Sequence, residues 1–234
     1  MTDLHPGREH LALALDVDSA AAALAVLRRL RPWFSVAKVG LELFASEGPV
    51  VLELARDEGF DVFADLKLHD IPTTVGRAAR AVGRHGARFL TVHAAGGPVM
   101  LGAAMEGFTG GALEAGQAVP VTLGVTVLTS DADASPAVFD ERLGTVVAVH
   151  CPGLVCSALD VARAKAEYPD AFAVVPGIRA SGGDHDDQAR VATAAEALRC
   201  GADLLVIGRT VTAADDVEAA AQHVADEVVG ALLP

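Results

Sequence analysis

A single α/β domain, a parallel (β/α)8 TIM barrel spanning residues 1–234, is the fold this chain predicts, and three observations predict it. Eight short β-rich runs alternate with helix-like stretches, no Ser- or Pro-rich linker or charge block divides them, and no G-x-G-x-x-G follows the first run. There, Leu15-Asp-Val-Asp18 turns toward a helix without glycine. Strand after helix, repeated eight times at the usual barrel size, favours a closed barrel over a doubly wound open sheet.

In chain order, the apolar run 11–16 is the first expected strand, and a helix over 19–30 follows with Ser19 as a plausible cap. Strand 35–40 precedes helix 49–58, and strand 61–66 precedes helix 72–85, with Pro49 and Pro72 suited to first helical turns. Next come strand 89–93 with helix 99–106, strand 119–126 with helix 136–149, and strand 153–157 with helix 158–167. Strand 171–175 with helix 188–200, then strand 204–208 with helix 213–233, complete the eight units.

Hydrophobic residues make up 52% of the chain and aromatic residues only 4%, so alanine, valine and leucine must fill the core. That suits helices around buried strands better than a β-sandwich. A formal net charge of −13 lacks the basic footprint that nucleic acid or an anionic membrane requires, so neither is expected as a partner. Any anionic ligand must be met by a few local cations. The run 11–15 ends at Asp16, too short for a signal segment or a membrane span. Cys151, Cys156 and Cys200 are odd in number and match neither C-x-x-C nor a zinc spacing. They read as free, buried thiols in a reducing, cytoplasmic setting.

Only three of the cationic residues are lysines, and two of these, Lys38 and Lys67, stand at the ends of apolar runs. Lys67 belongs to Phe63-Ala-Asp-Leu-Lys-Leu-His-Asp-Ile-Pro72, in which Asp65, Lys67 and Asp70 follow a D-x-K-x-x-D spacing. In a strand, Asp65 and Lys67 project to one face, while Asp70 falls in the loop beyond. If the barrel closes, Asp16, Lys38, Asp65, Lys67, His93 and Thr126 all converge on its C-terminal mouth. Plainer roles compete for each. Asp16 either contacts a ligand or caps the following helix. Lys38 needs a carboxylate partner if it lies indoors. The Asp65, Lys67 and Asp70 group is either reactive or a structural ion pair with a solvated neighbour. His69 and His93 read as structural histidines.

A second constellation ends the chain: Val175-Pro-Gly-Ile-Arg179 follows one strand and Val206-Ile-Gly-Arg-Thr210 the next. Gly208 lets backbone N–H groups approach an anion, and Arg209 offers a forked charged contact, at the strand 7 and 8 position where barrels hold phosphate. Ser181-Gly-Gly183 suggests a loop over the ligand, with Arg179 and Gln188 near its ends.

Ala14-Leu-Asp16, Lys38-Val-Gly40, Asp65-Leu-Lys-Leu-His-Asp-Ile-Pro72, Val92-His-Ala-Ala-Gly-Gly97, Thr126-Val-Leu-Thr-Ser130, Pro176-Gly-Ile-Arg179 and Ile207-Gly-Arg209 together resemble, in order, the motifs of the orotidine 5'-phosphate decarboxylase family. The resemblance implies decarboxylation of orotidine 5'-monophosphate to uridine 5'-monophosphate, in pyrimidine biosynthesis, with no metal or cofactor. It also implies a charge network of Lys38, Asp65 and Lys67 completed by Asp70 of a second subunit, hence a homodimer. Asp16 would hold the ribose, Ile71 and Thr74 would reach the partner's site, and Thr129, beside Ser130, would meet the pyrimidine. Pro176 would line the substrate, and Arg179, Gln188, Gly208 and Arg209 would bind its phosphate. Val175 departs from the hydroxyl residue expected before Pro-Gly-Ile-Arg. The nearest rival is a keto-gulonate phosphate decarboxylase, which shares D-x-K-x-x-D but resembles a magnesium enzyme. From another class, a nucleotide-binding regulatory barrel would keep the arginines but would not need Lys67 between acids.

Overall fold

The computed structural model describes residues 4–128, 135–179 and 192–233. Its strands are β1 (Leu11–Leu15), β2 (Val36–Val39), β3 (Asp61–Leu68), β4 (Phe89–His93), β5 (Val121–Val125), β6 (Gly153–Val155), β7 (Phe172–Val175) and β8 (Leu204–Ile207). Neighbours in sequence pair in parallel, and β8 returns to β1, so the barrel closes as expected. Around it lie α1 (Ala20–Leu30), α2 (Leu41–Glu47), α3 (Val50–Asp57), α4 (Pro72–Arg84), α5 (Gly97–Glu114), α6 (Pro136–Ala148), α7 (Val161–Glu167), α8 (Ala194–Arg199), α9 (Arg209–Thr212) and α10 (Val217–Leu232).

Differences from expectation have local causes. Helix 99–106 grows to the whole of α5, whose glycines serve packing rather than ending the helix. The short helices α2 and α9 follow Gly40 and Gly208 without a side-chain cap, so no start signal marks them. Ser19 occupies the N-cap of α1 but makes no capping bond; Glu47 accepts from Ala20 N–H at 2.7 Å instead. Pro49 is the N-cap of α3, whereas Pro72 lies in the first turn of α4 as expected. Of the expected helix 188–200, residues 188–191 lie outside the described residues.

Both faces of the strands are buried, which is why they read as continuous apolar runs. Leu11, Leu13 and Leu15 of β1 face the helices, while Ala12 and Ala14 face the barrel interior with Val36, Phe63, Phe89, Leu123, Val174 and Val206. Size is graded along that interior. Phe89 and Phe172 open their strands and stack at 5.4 Å, and Phe63 meets Phe89 edge-on at 6.1 Å, so aromatic rings plug the N-terminal end. Small Ala14, Val125 and Val206 leave the C-terminal end open.

Helices α4 and α5 approach backbone to backbone. A Cβ on Gly107 would run into the Gly76 carbonyl, one on Gly111 into the Arg80 carbonyl, and one on Gly83 into the Phe108 carbonyl. Gly111→Ala should therefore destabilise the fold by about 1–3 kcal/mol through overpacking, or roughly 2–4 °C in Tm per kcal/mol. Gly144→Ala, on an exposed face of α6 with nothing within 4 Å of the new Cβ, should gain roughly 0.5–1 kcal/mol of helix propensity. Calorimetric scans of the two variants check this, and equal melting temperatures would remove the close-packing argument.

Candidate active site

Polar residues enter the barrel mouth by continuing the inward-facing parity of each strand. Ala12 and Ala14 lead to Asp16, Val36 to Lys38, Phe63 to Asp65, and Val206 to Gly208. The resulting cleft encloses about 240 Å³. Asp16, Lys38, Asp65 and Lys67 line it from β1–β3, Val125, Val127, Leu128 and Val155 line it from β5 and β6, and Pro176, Arg179, Gly208 and Arg209 form the rim after β7 and β8. Charge thus occupies one wall and apolar surface the other.

Lys67 reaches that wall through a distortion that strand alternation does not describe. Ala64 pairs with Leu90 and Leu68 with Val92, so Asp65, Leu66 and Lys67 together stand opposite Thr91 alone. Within this bulge Lys67 has φ +46°, the left-handed region, at a cost of about 1–2 kcal/mol for a residue with a Cβ. The same-face expectation for Asp65 and Lys67 holds, and the bulge keeps that face while changing the backbone between them. Lys67 Nζ donates to Asp65 Oδ1 at 2.8 Å. Lys38 Nζ lies 3.5 Å from Asp65 Oδ2 and 3.6 Å from Asp16 Oδ1. Charges therefore alternate as Asp16, Lys38, Asp65, Lys67.

Lys38 is buried, and it has the carboxylate partners that burial demands. Burial opposes the charge on Asp65, but Lys38, Lys67 and the hydrogen bonds from Lys67 and Thr91 outweigh it and hold the carboxyl below its ordinary pKa. Thr91 carries no motif in the sequence. Its hydroxyl donates to Asp65 Oδ1 at 3.0 Å and accepts from Lys67 N–H at 2.9 Å. The available signal was parity alone: Phe89, Thr91 and His93 share a face.

At the rim, Arg179 Nη2 is buried with no hydrogen-bond partner among the described residues, an orphaned donor beside the cleft. Its backbone N–H donates to Ala192 O at 3.0 Å. A Cβ on Gly208 would meet nothing closer than Ala14 Cβ at 3.6 Å, so the room that a side chain would fill belongs to the cleft. Val175 is buried in the helix-facing core and turned away from the cleft, which removes any bearing of that departure on the site. Thr129, Ser130, Gln188 and the 181–183 stretch lie outside the described residues.

Other candidates fall elsewhere. Asp70, Ile71 and Thr74 are exposed at the head of α4 and do not line the cleft of their own chain. Asp70 Oδ1 accepts from Ile71 N–H at 2.6 Å, and no ion pair among the described residues joins it to Lys67. Thr126 is structural: it is buried and donates to Val155 O at 2.8 Å. His93 packs on His69 at 5.3 Å, outside the cleft lining. Burial first, then His69, Lys67 and Arg142, keep its pKa low. Cys151 and Cys156 are buried, the former with its pKa pushed up to about 11 by burial, but Cys200 is exposed, against expectation. The third lysine, Lys165 on α7, donates to Ala171 O and Asp203 Oδ2, each at 2.7 Å. Among the described residues, no group of three or more His, Cys, Asp or Glu could hold a metal ion, and no helix is long and apolar enough to cross a membrane.

Comparison with known proteins gives the family and the fold. A protein from Anaeromyxobacter sp. (strain K) named orotidine 5'-phosphate decarboxylase is 47% identical over 228 residues, which cover 93% of this chain and 97% of that protein. The crystal structure of orotidine 5'-phosphate decarboxylase from Lactobacillus acidophilus matches with a TM-score of 0.77 at 32% identity, covering 94% of this chain and 99% of that one. The crystal structure of the protein of the same name from Pyrococcus horikoshii OT3, at 23% identity, shares the fold with a TM-score of 0.78, covering 94% of this chain and 99% of that one. Since the profile of the Orotidine 5'-phosphate decarboxylase / HUMPS family matches residues 9–224, the chain belongs to that family.

Proposed function

We propose that this chain converts orotidine 5'-monophosphate to uridine 5'-monophosphate in the cytoplasm, without metal or cofactor, using Lys67 to stabilise and protonate the carbanion. One observation carries the reading: an ammonium held 2.8 Å from a carboxylate kept ionised, on the charged wall of a cleft whose rim carries Arg179 and Arg209. The names of the curated relatives support the substrate.

When the bond from C6 to the carboxylate breaks, carbon dioxide leaves and the electron pair stays in the ring plane, where the π system delocalises little of it. Lys67 Nζ faces that pair, lowers its energy electrostatically and gives its proton to C6. Asp65 crowds the departing carboxylate, and this repulsion vanishes as neutral carbon dioxide forms. Two carboxylates about 4 Å apart at an effective dielectric of about 20 repel by roughly 4 kcal/mol, or about three powers of ten in rate. Enzymes reach at least about a millionfold, so contacts remote from C6 must supply more. Arg179, Gln188, Gly208 and Arg209 on the phosphate, Asp16 on the ribose, Pro176 along the substrate and Thr129 on the pyrimidine are the assigned sources. The apolar wall of Val125, Val127 and Val155 excludes water from the reacting centre.

The active unit in this reading is a homodimer in which Asp70, with Ile71 and Thr74, enters the partner's cleft. Their exposure outside their own cleft supports it. So does the exposed apolar surface of Ile71 and Val99, 67% and 73% accessible, at one end of the α4–α5 pair.

Purified protein should lower the ultraviolet absorbance of orotidine 5'-monophosphate, and a chelator should leave the rate unchanged; chelator-sensitive turnover would point to the magnesium-dependent rival. Lys67→Ala should nearly abolish single turnover at saturation, whereas Arg209→Ala should chiefly raise KM. Equal losses at saturation would refute that division. Mixing inactive Lys67→Ala and Asp70→Ala chains should restore about a quarter of wild-type activity, since random pairing leaves one intact site in each mixed dimer. No recovery after subunit exchange would overturn the shared site.

A further inference from the structure

Thr91 is fully buried in the middle of β4 and does not line the cleft, yet its one hydroxyl is bonded on both sides to the charged cluster. We propose that Thr91 is a positioning residue for the reaction, with a single hydroxyl that fixes both the rotation of the Asp65 carboxylate and the bulged backbone from which Lys67 projects. This rests on the function proposed above.

The geometry leaves the hydroxyl little freedom. Its proton goes to Asp65 Oδ1 at 3.0 Å, and its lone pair takes Lys67 N–H at 2.9 Å. The same Oδ1 accepts from Lys67 Nζ at 2.8 Å. Both ends of residue 67, backbone nitrogen and side-chain nitrogen, are thus tied to one carboxylate oxygen, directly or through Thr91. Oδ2 is left toward Lys38 at 3.5 Å. Because Asp65, Leu66 and Lys67 face Thr91 alone across the ladder, the Lys67 N–H sits where the regular strand pairing is interrupted. The threonine hydroxyl is its partner there. Without that bond, a part-buried backbone donor loses its partner and the left-handed φ of Lys67 loses a restraint. A carboxylate free to rotate also exchanges which oxygen meets which lysine.

Valine keeps the β-branched shape and removes only the hydroxyl's polarity; serine keeps the hydroxyl. Thr91→Val should lower kcat for orotidine 5'-monophosphate by about 10- to 100-fold, as expected for losing a hydrogen bond to a charged group in a precisely held site. KM and the affinity for uridine 5'-monophosphate should change by no more than about threefold, because neither partner of the hydroxyl is assigned to the phosphate grip. Thr91→Ser should recover most of kcat. A Thr91→Val enzyme with wild-type kcat overturns the proposal, as does a variant in which kcat and product affinity fall together without rescue by serine. If Thr91→Val does not fold, Thr91→Ala is read in the same assay. Hydroxyl-free variants that all unfold reduce Thr91 to a residue of the fold and also overturn it. If the wild-type chain leaves orotidine 5'-monophosphate untouched, the function above fails instead. The positioning claim is then decided by a crystal structure of Thr91→Val: Lys67 leaving its left-handed φ or Nζ leaving Asp65 supports it, and an unchanged bulge overturns it.

Discussion

The carboxylate of Asp65, largely buried and flanked by two ammonium groups, is the constraint around which this molecule is arranged. Burial alone would favour its neutral form, and Lys38 indoors would be equally unfavourable without an acid. Each makes the other tolerable. Such pairs add little net stability, because desolvation offsets most of their attraction, but they penalise any arrangement that separates them. The β2–β3 pairing brings Lys38 beside Phe63, one inward step below Asp65, and the bulge after Ala64 brings Lys67 round to the same carboxylate.

The barrel supports this cluster by unequal filling. Aromatic rings at the N-terminal end give the β3 and β4 strands a rigid footing, and alanine and valine near the C-terminal end leave space where charge is held. Outside, the glycine contacts of α4 and α5 bring two backbones together with almost no side chain between them. The head of α4 carries Asp70, Ile71 and Thr74, so close packing behind it keeps that presented edge in register with the barrel.

Much of this could be read from the residues. Period and count of the apolar runs disclosed the barrel, because both faces of every strand are buried and the helices between them are long enough to show their own pattern. The converging polar residues Asp16, Lys38, Asp65 and Lys67 followed from their place at the C-terminal ends of the apolar runs. What escaped had no local signature. α2 and α9 begin without capping side chains, and the bulge at Lys67 cannot be seen in alternation, since it preserves the face while changing the backbone. Thr91 looks like any threonine in a strand, where its β-branched shape alone would justify it. Thr126, by contrast, shares the mouth but donates to a neighbouring strand's carbonyl, a difference that only coordinates reveal. The spacing D-x-K-x-x-D marks Asp70, but its proposed place in a partner's cleft rests on family resemblance, because the geometry of its own chain carries no trace of such a role.

The scarcity of lysine has a practical corollary for handling this molecule. Of its three side-chain amines, Lys165 is fastened to a carbonyl and a carboxylate at 2.7 Å, and the other two line the cleft. Acylating reagents, reductive methylation and amine-coupled surfaces therefore find hardly any lysine away from the cleft to attach to. Conjugation aimed at side-chain amines thus falls on the cleft, and tethering or labelling is better directed through the exposed thiol of Cys200.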